Sequence, residues 1–145
     1  MKPQSPDRGD KDCIHVRTTV EPELPELPVF SKGVVMQSFT SDGEGELYGF
    51  RIFGDGQRQR LEPDEDWREA SPLSTAAVAD IRRAVGGLDL DSIAGTHRLA
   101  DLPDDPSVSI LQVEPRPERA VLIAWPCRVP AVDEFFAQIG PLLDP

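Results

Sequence analysis

The stretch LEPDEDWREASP, residues 61–72, concentrates carboxylates beside a tryptophan. Asp64 and Asp66 form an Asp-x-Asp pair, and carboxylate oxygens are the ligands that Mg²⁺ and Ca²⁺ prefer in proteins. A calcium loop needs the longer D-x-[DN]-x-[DN]-G spacing, and the glycines of the chain match no phosphate-binding loop. We therefore interpret the acidic run as a solvated loop before a helix, and we expect neither a bound metal nor a cofactor.

Trp67 follows the acidic run and has two interpretations. It can be a lid over the edge of the core, because its large ring buries much apolar surface. It can also be an anchor for another protein, because tryptophan is enriched among the residues that dominate interfaces. In the second interpretation the acidic loops 62–69 and 101–105 surround the anchor. The predicted partner-binding residues are Asp64, Glu65, Asp66, Trp67, Asp104 and Asp105.

The only cysteines and histidines of the chain are Cys13, His15, His97 and Cys127. Such a set could bind zinc, but structural zinc ligands usually come in closer pairs than His97 and Cys127. Two cysteines do not make a disulfide framework, so we predict free thiols and a reducing compartment. Arg128 would favour a Cys127 thiolate, although a cysteine at the end of a strand more often serves packing.

A pocket between sheet and helices is the alternative to a docking surface. A Ser-His-Asp hydrolase would have two histidines to choose from as its base, and the chain has no G-x-S-x-G motif. We therefore favour a non-catalytic role and leave the enzymatic question open. The predicted residues of the alternative enzyme or ligand-binding pocket are Tyr48, Arg58, His97 and Cys127.

Three arginines could form a small basic patch in this acidic chain. Arg58 and Arg60 share one face of a predicted strand, and Arg51 lies on the neighbouring strand. Such a patch could grip a carboxylate or phosphate. The simpler interpretation is cross-strand pairing with a carboxylate such as Glu46.

Hydrophobic periodicity and turn residues predict the elements that position these side chains. Ser74 is a suitable N-cap for a helix over 75–85, and Pro130 suits the first turn of a second helix over 130–139. Residues 13–20 alternate as an edge strand does. The prolines at 22, 25 and 28 favour an extended linker that covers the core. The remaining strands are predicted at 29–39, 46–53, 57–61, 107–113 and 119–125.

This order predicts an α+β fold. We expect a two-layer sandwich, with an antiparallel sheet of about five strands and two helices packed on one face, in the order strands, helix, hairpin, helix. Residues 1–12 are predicted to be a disordered tail, residues 13–28 an extended proline-rich segment, and residues 29–145 a single α+β domain.

The formal net charge of −11 limits the partners of this domain. Binding to nucleic-acid phosphates or to anionic membranes needs Lys and Arg, so we expect neither. The N-terminus lacks the apolar region of a secretory signal, and the longest apolar run, Ala120–Trp125, is too short to cross a bilayer. We therefore predict a cytoplasmic protein-interaction domain, such as an adaptor, accessory subunit or inhibitor. The negative charge fits either a solubilising surface or contact with a basic partner through the acidic loops.

Overall fold

The computed structural model describes residues 13–21, 24–42, 46–63, 67–101 and 106–143. Within these ranges the chain forms one sheet of eight strands and three helices. The strands are β1 (Cys13–Val16), β2 (Val34–Ser41), β3 (Leu47–Phe53), β4 (Arg58–Leu61), β5 (Trp67–Ala70), β6 (Gly95–Leu99), β7 (Val108–Val113) and β8 (Val121–Ala124). The helices are α1 (Thr75–Gly86), α2 (Leu90–Ile93) and α3 (Pro130–Leu143).

The strand order across the sheet is β1-β6-β8-β7-β2-β3-β4-β5. Every neighbouring pair is antiparallel except β6 and β8, which are parallel. The predicted antiparallel sandwich of about five strands and two helices is therefore wrong. The sheet is larger and mixed. The edge strand predicted within residues 13–20 is present as β1, whereas β5 and β6 lie outside the predicted strands.

The strands missing from the prediction share weak apolar patterns. β5 has the sequence WREA, and its first three residues are exposed. β6 has the sequence GTHRL, and the hydroxyl of its buried Thr96 donates to the backbone oxygen of Thr18 over 2.8 Å. Strand signals from sequence rest on a half-buried apolar face, and neither segment presents one.

The core between the sheet and the helices is continuous. Val78, Ile81 and Val85 of α1 are buried in it, as are Val132, Phe135 and Ile139 of α3. The facing strand residues include Met36, Ile52, Leu111 and Val121, and we call this side of the sheet the helix face. The predicted cap of the first helix is confirmed, because the Ser74 Oγ accepts a hydrogen bond from the Ala77 amide over 3.1 Å.

The opposite side of the sheet, which we call the second face, is covered in part by the proline-rich segment. Leu24 and Leu27 pack there on a smaller cluster that includes Ile110 and Leu122. The segment crosses β7 and β2, where the amides of Gln112 and Gln37 donate to the backbone oxygens of Pro28 and Val29. Leu24 and Leu27 are not part of the packing at β3, β4 and β5.

Among the described residues, no helix combines the length and the apolar character that crossing a membrane requires.

Candidate functional site

A row of five polar side chains runs across the second face from β7 to β5. Directly paired residues in antiparallel strands point to the same face, and the register pairs Gln112 with Gln37, Gln37 with Arg51, Arg51 with Gln59, and Gln59 with Glu69. We call these five residues the polar row. It starts under the proline-rich segment and ends on the exposed edge strand β5.

Hydrogen bonds join neighbours within the polar row. The Gln37 amide donates to Gln112 Oε1 over 2.8 Å. Arg51 Nε donates to Gln59 Oε1 over 2.7 Å, and Gln59 Nε2 donates to Glu69 Oε2 over 2.6 Å. Gln59 of β4 therefore orients the Arg51 guanidinium, and Glu69 of β5 in turn orients the Gln59 side chain.

The Arg51 guanidinium lies against two aromatic rings. Its central carbon is 3.8 Å from the ring centroid of Trp67 and 5.4 Å from that of Phe53. An arginine over an aromatic face is attracted by the negative charge density of the ring. Partial burial lowers the pKa of Arg51, while Glu69 acts to raise it. The side chain stays cationic, since guanidinium groups hold their proton throughout the physiological range.

Trp67 is both a lid and an exposed ring. Its ring meets the buried Phe39 edge to face, with 6.0 Å between centroids, although β2 and β5 are three strand spacings apart. Gly49 permits this contact, because a Cβ at that position would stand 2.8 Å from Phe39 Cδ1. Trp67 nevertheless remains 39% exposed. Trp67 therefore covers Phe39 as a lid would, and the exposed part of its ring is available to a binding partner as an anchor would be.

The predicted carboxylates of the acidic loops lie outside the described residues. This applies to Asp64, Glu65 and Asp66, and equally to Asp104 and Asp105. The disordered tail predicted over residues 1–12 also falls outside them. Trp67 is the member of the predicted partner-binding set that the structure places, and it begins the edge strand β5.

The helix face of the same strands carries a cleft of about 600 Å³. Tyr48, Phe50, Arg58 and Leu143 are among the residues that line it. Arg58 has a structural task there, because it donates hydrogen bonds to the backbone oxygens of Ser71 and Leu143. The second of these bonds secures an otherwise unsatisfied carbonyl in the last turn of α3.

The predicted basic patch does not assemble from all three arginines. Arg58 and Arg60 share the helix face, whereas Arg51 lies on the second face. Arg60 pairs with Glu62 over 3.0 Å, and Arg68 is its direct neighbour on β5. The partner of Arg60 is thus a carboxylate two residues further along the same segment, whereas the residues paired with it across the sheet are Phe50 and Arg68. The predicted cross-strand pairing with a carboxylate is therefore not found at Arg60.

The two histidines form a stacked pair at the opposite end of the sheet. His15 and His97 are directly paired across β1 and β6, with ring centroids 4.1 Å apart. Each Nε2 lies 2.8 Å from a backbone oxygen, of Ala94 and Ile93 respectively. A carbonyl oxygen can only accept, so each Nε2 carries a proton. Partial burial lowers the pKa of His97, with His15 and Arg17 acting in the same direction and the Ile93 carbonyl opposing them.

The two cysteines form a disulfide, so the prediction of free thiols is wrong. Cys13 of β1 is bonded to Cys127, which lies between β8 and α3. Free thiols were the reason to expect a reducing compartment, and the disulfide removes that reason. A nucleophilic Cys127 is excluded in this state, and Arg128 instead pairs with Asp133 over 3.0 Å.

The four residues of the predicted alternative pocket do not meet in one cavity. Tyr48 and Arg58 line the cleft, whereas His97 is in the histidine stack and Cys127 is in the disulfide. Strands β8, β7 and β2 separate His97 on β6 from Tyr48 on β3. At about 4.8 Å per strand spacing, the strands that carry these two residues are roughly 19 Å apart across the sheet.

All cysteines and histidines of the chain do converge on one end of the sheet, as a disulfide beside an imidazole stack. They are arranged as a crosslink and a stacking contact, and the described residues contain no group of three or more potential ligands that could hold a metal ion. Comparisons with protein-family models, curated proteins and solved structures found no match to the chain.

Arg51 is the member of the site whose role the sequence analysis missed. Its contact with Trp67 depends on β5 pairing with β4, and β5 was interpreted as part of a solvated loop. The available signal was the alternation of WREA, which places Trp67 and Glu69 on one face and Arg68 and Ala70 on the other.

Proposed function

We propose that this chain is a non-catalytic protein-interaction domain, an adaptor, accessory subunit or inhibitor, that binds a basic protein with Trp67 as its anchor. The observation that carries the proposal is the stack of Trp67 on Arg51, with 39% of the tryptophan left exposed. Tryptophan and arginine are the residue types most enriched in the energetic centres of interfaces.

The fixed geometry of Trp67 favours binding. Immobilising a flexible side chain at an interface costs about 0.5–1.5 kcal/mol. Trp67 is already held by Arg51 from one side and by Phe39 from its edge. A partner that covers the exposed part of the ring would therefore meet little of this cost.

The charge of the chain supports a basic partner. The formal net charge is −11, and Asp64, Glu65 and Asp66 directly precede Trp67 in the sequence. Complementary charge accelerates encounter more than it deepens affinity. The proposal therefore includes association that slows as salt concentration rises.

The first test is affinity capture from native lysate with identification by mass spectrometry, using wild type, Trp67→Ala and an Asp64→Asn/Asp66→Asn double variant. Trp125→Ala is the matched control, because Trp125 is 74% exposed and follows β8. The expected result is a stoichiometric partner that is retained by wild type and Trp125→Ala and lost by Trp67→Ala. Capture that is equal in all four proteins would contradict Trp67 as the anchor, and binding of the purified partner would then be mapped elsewhere.

The second candidate function is a small enzyme or ligand-binding domain that uses the cleft of Tyr48 and Arg58. Its volume of about 600 Å³ falls within the range typical of small-molecule sites. A panel of small aromatic carboxylates, screened by thermal shift, tests this alternative. A ligand whose stabilising effect is lost in Tyr48→Ala and kept in Trp67→Ala would favour the cleft over the docking surface.

A further inference from the structure

Strand β5 is an edge strand of the sheet, and it contains Trp67, the proposed anchor. It hydrogen-bonds to β4 on one side, and no other described strand pairs with it on the other side. The backbone N–H and C=O groups of such an edge form a template on which an extended segment of another chain can add a strand. An edge of this kind is open either to a second copy of the chain or to a different protein.

The side chains of β5 alternate in charge and in face. Arg68 and Ala70 lie on the helix face, whereas Trp67 and Glu69 lie on the second face beside the polar row. The Arg68 side chain is 53% exposed, with Nε 3.9 Å from Glu62. The edge therefore presents a cation on one face and, one residue later, a carboxylate on the other.

The alternating charges of Arg68 and Glu69 disfavour pairing of β5 with the β5 strand of a second copy of the chain. Two identical edges that extend one sheet are related by a two-fold axis perpendicular to it, so each copy keeps its helices on the same side. Paired residues then share a face, and the residue on the axis lies opposite its own copy. The registers that overlap three residues of β5 place either Arg68 opposite Arg68 or Glu69 opposite Glu69. Like charges in directly opposite positions are destabilising. Arg68 already lies opposite Arg60, with Glu62 near both, so the first register would extend this pair into a row of four arginines across the two copies.

We propose that β5 accepts an antiparallel strand from a different protein, whose side chains complement the charges of Arg68 and Glu69. This inference rests on the proposed function, and it specifies how the partner of the Trp67 surface is held. Antiparallel addition continues the pairing of β2, β3, β4 and β5.

The register defines the chemistry of the added strand. Opposite Glu69 it carries a lysine or arginine on the second face, and opposite Arg68 it carries a carboxylate on the helix face. Opposite Trp67 it carries an apolar side chain that packs on the exposed ring. Read from its N-terminus, the antiparallel strand therefore has the order basic, acidic, apolar.

The probe is the capped peptide Thr-Val-Lys-Glu-Val-Thr, titrated to millimolar concentration into isotope-labelled protein and followed by amide chemical shifts. The comparison peptide is Thr-Val-Glu-Glu-Val-Thr, which places like charges opposite Glu69. For wild type we expect saturable shifts centred on residues 67–70, with the Lys-Glu peptide bound about fivefold more tightly. For Glu69→Lys we expect the preference to reverse, because both carboxylates of the comparison peptide then face cations.

Arg116→Glu is the matched control, since it reverses an exposed charge in the turn after β7 and should leave the preference of wild type unchanged. Shifts that do not saturate, that centre away from β5, or that show the same preference in wild type and Glu69→Lys would overturn strand addition. If the lysate partner still depends on Trp67 in that case, the interaction function stands and the partner lies on the second face without extending the sheet. If the peptide preference reverses but no partner depends on Trp67, strand addition is supported and the proposed anchor fails.

Discussion

Removing the disulfide between Cys13 and Cys127 should destabilise the protein strongly. The bond closes a loop with a sequence separation of 114 residues. In the chain-entropy treatment, a crosslink over a loop of this length stabilises the folded state by about 5 kcal/mol, because it restricts the unfolded chain. Domains of this size have total stabilities of about 5–15 kcal/mol, so the crosslink supplies a large part of the free energy of unfolding.

The assay is urea unfolding of the wild-type protein beside a Cys13→Ser/Cys127→Ser variant, with thermal unfolding as a second measurement. A loss of about 5 kcal/mol corresponds to a fall in Tm of roughly 10–20 °C for a domain of this size. The m-value of the variant should rise, since its unfolded state is less restricted and exposes more surface.

A change of less than about 1 kcal/mol in the free energy of unfolding would refute this reasoning. Such a result would mean that β1 separates from the sheet before the rest of the protein unfolds, so that the crosslink does not act on the global transition. Thiol quantification under denaturing conditions is the control, because wild type must contain the intact bond.

Three further predictions concern the site, the histidine stack and the edge strand. A double-mutant cycle with Arg51→Ala and Trp67→Ala should give a coupling free energy of about 1 kcal/mol, as measured by urea unfolding, and additive effects would contradict the stack. As pH is lowered from about 6.5, the ordinary pKa of histidine, to the lowered pKa of His97 in the folded state, the free energy of unfolding should decrease. The reason is that the unfolded chain takes up the proton before the folded protein does. His97→Gln should flatten this part of the stability profile, and an unchanged profile would assign the dependence to other groups. An Arg68→Thr/Glu69→Thr variant should self-associate in sedimentation experiments where wild type stays monomeric, and a monomeric variant would remove the charge argument against self-pairing.

The parts of the fold that sequence reasoning predicted correctly are those with local signals. The helix α1 begins after Ser74, whose side chain caps it, and the apolar stripe of Val78, Ile81 and Val85 is buried as its spacing predicted. The apolar strands β7 and β8 were also predicted from their β-branched residues. Each of these signals is contained in one segment of the chain.

The parts that were missed depend on long-range pairing. The buried Thr96 of β6 donates its hydroxyl hydrogen bond to the backbone of Thr18, and no local sequence pattern predicts a contact between segments so far apart. The disulfide requires β1 to lie at the same end of the sheet as Cys127, which follows from the strand order alone. Residue type was enough to single out Trp67 as a candidate, whereas its contact with Arg51 required the register of two strand pairs.

The strand order places the two tryptophans in separate groups of strands that are close in sequence. Strands β2 to β5 form a meander within residues 34–70, and this group contains Trp67. Trp125 follows β8, which pairs with β6 and β7 within residues 95–124. The pairing of β2 with β7 joins the two groups, and its partners, such as Met36 and Val113, come from distant parts of the chain. Pairing of nearby segments closes shorter loops and is generally faster. The fluorescence of both tryptophans should therefore approach its native value before the amides of β2 and β7 gain protection during refolding, and single-tryptophan variants would time the two groups independently.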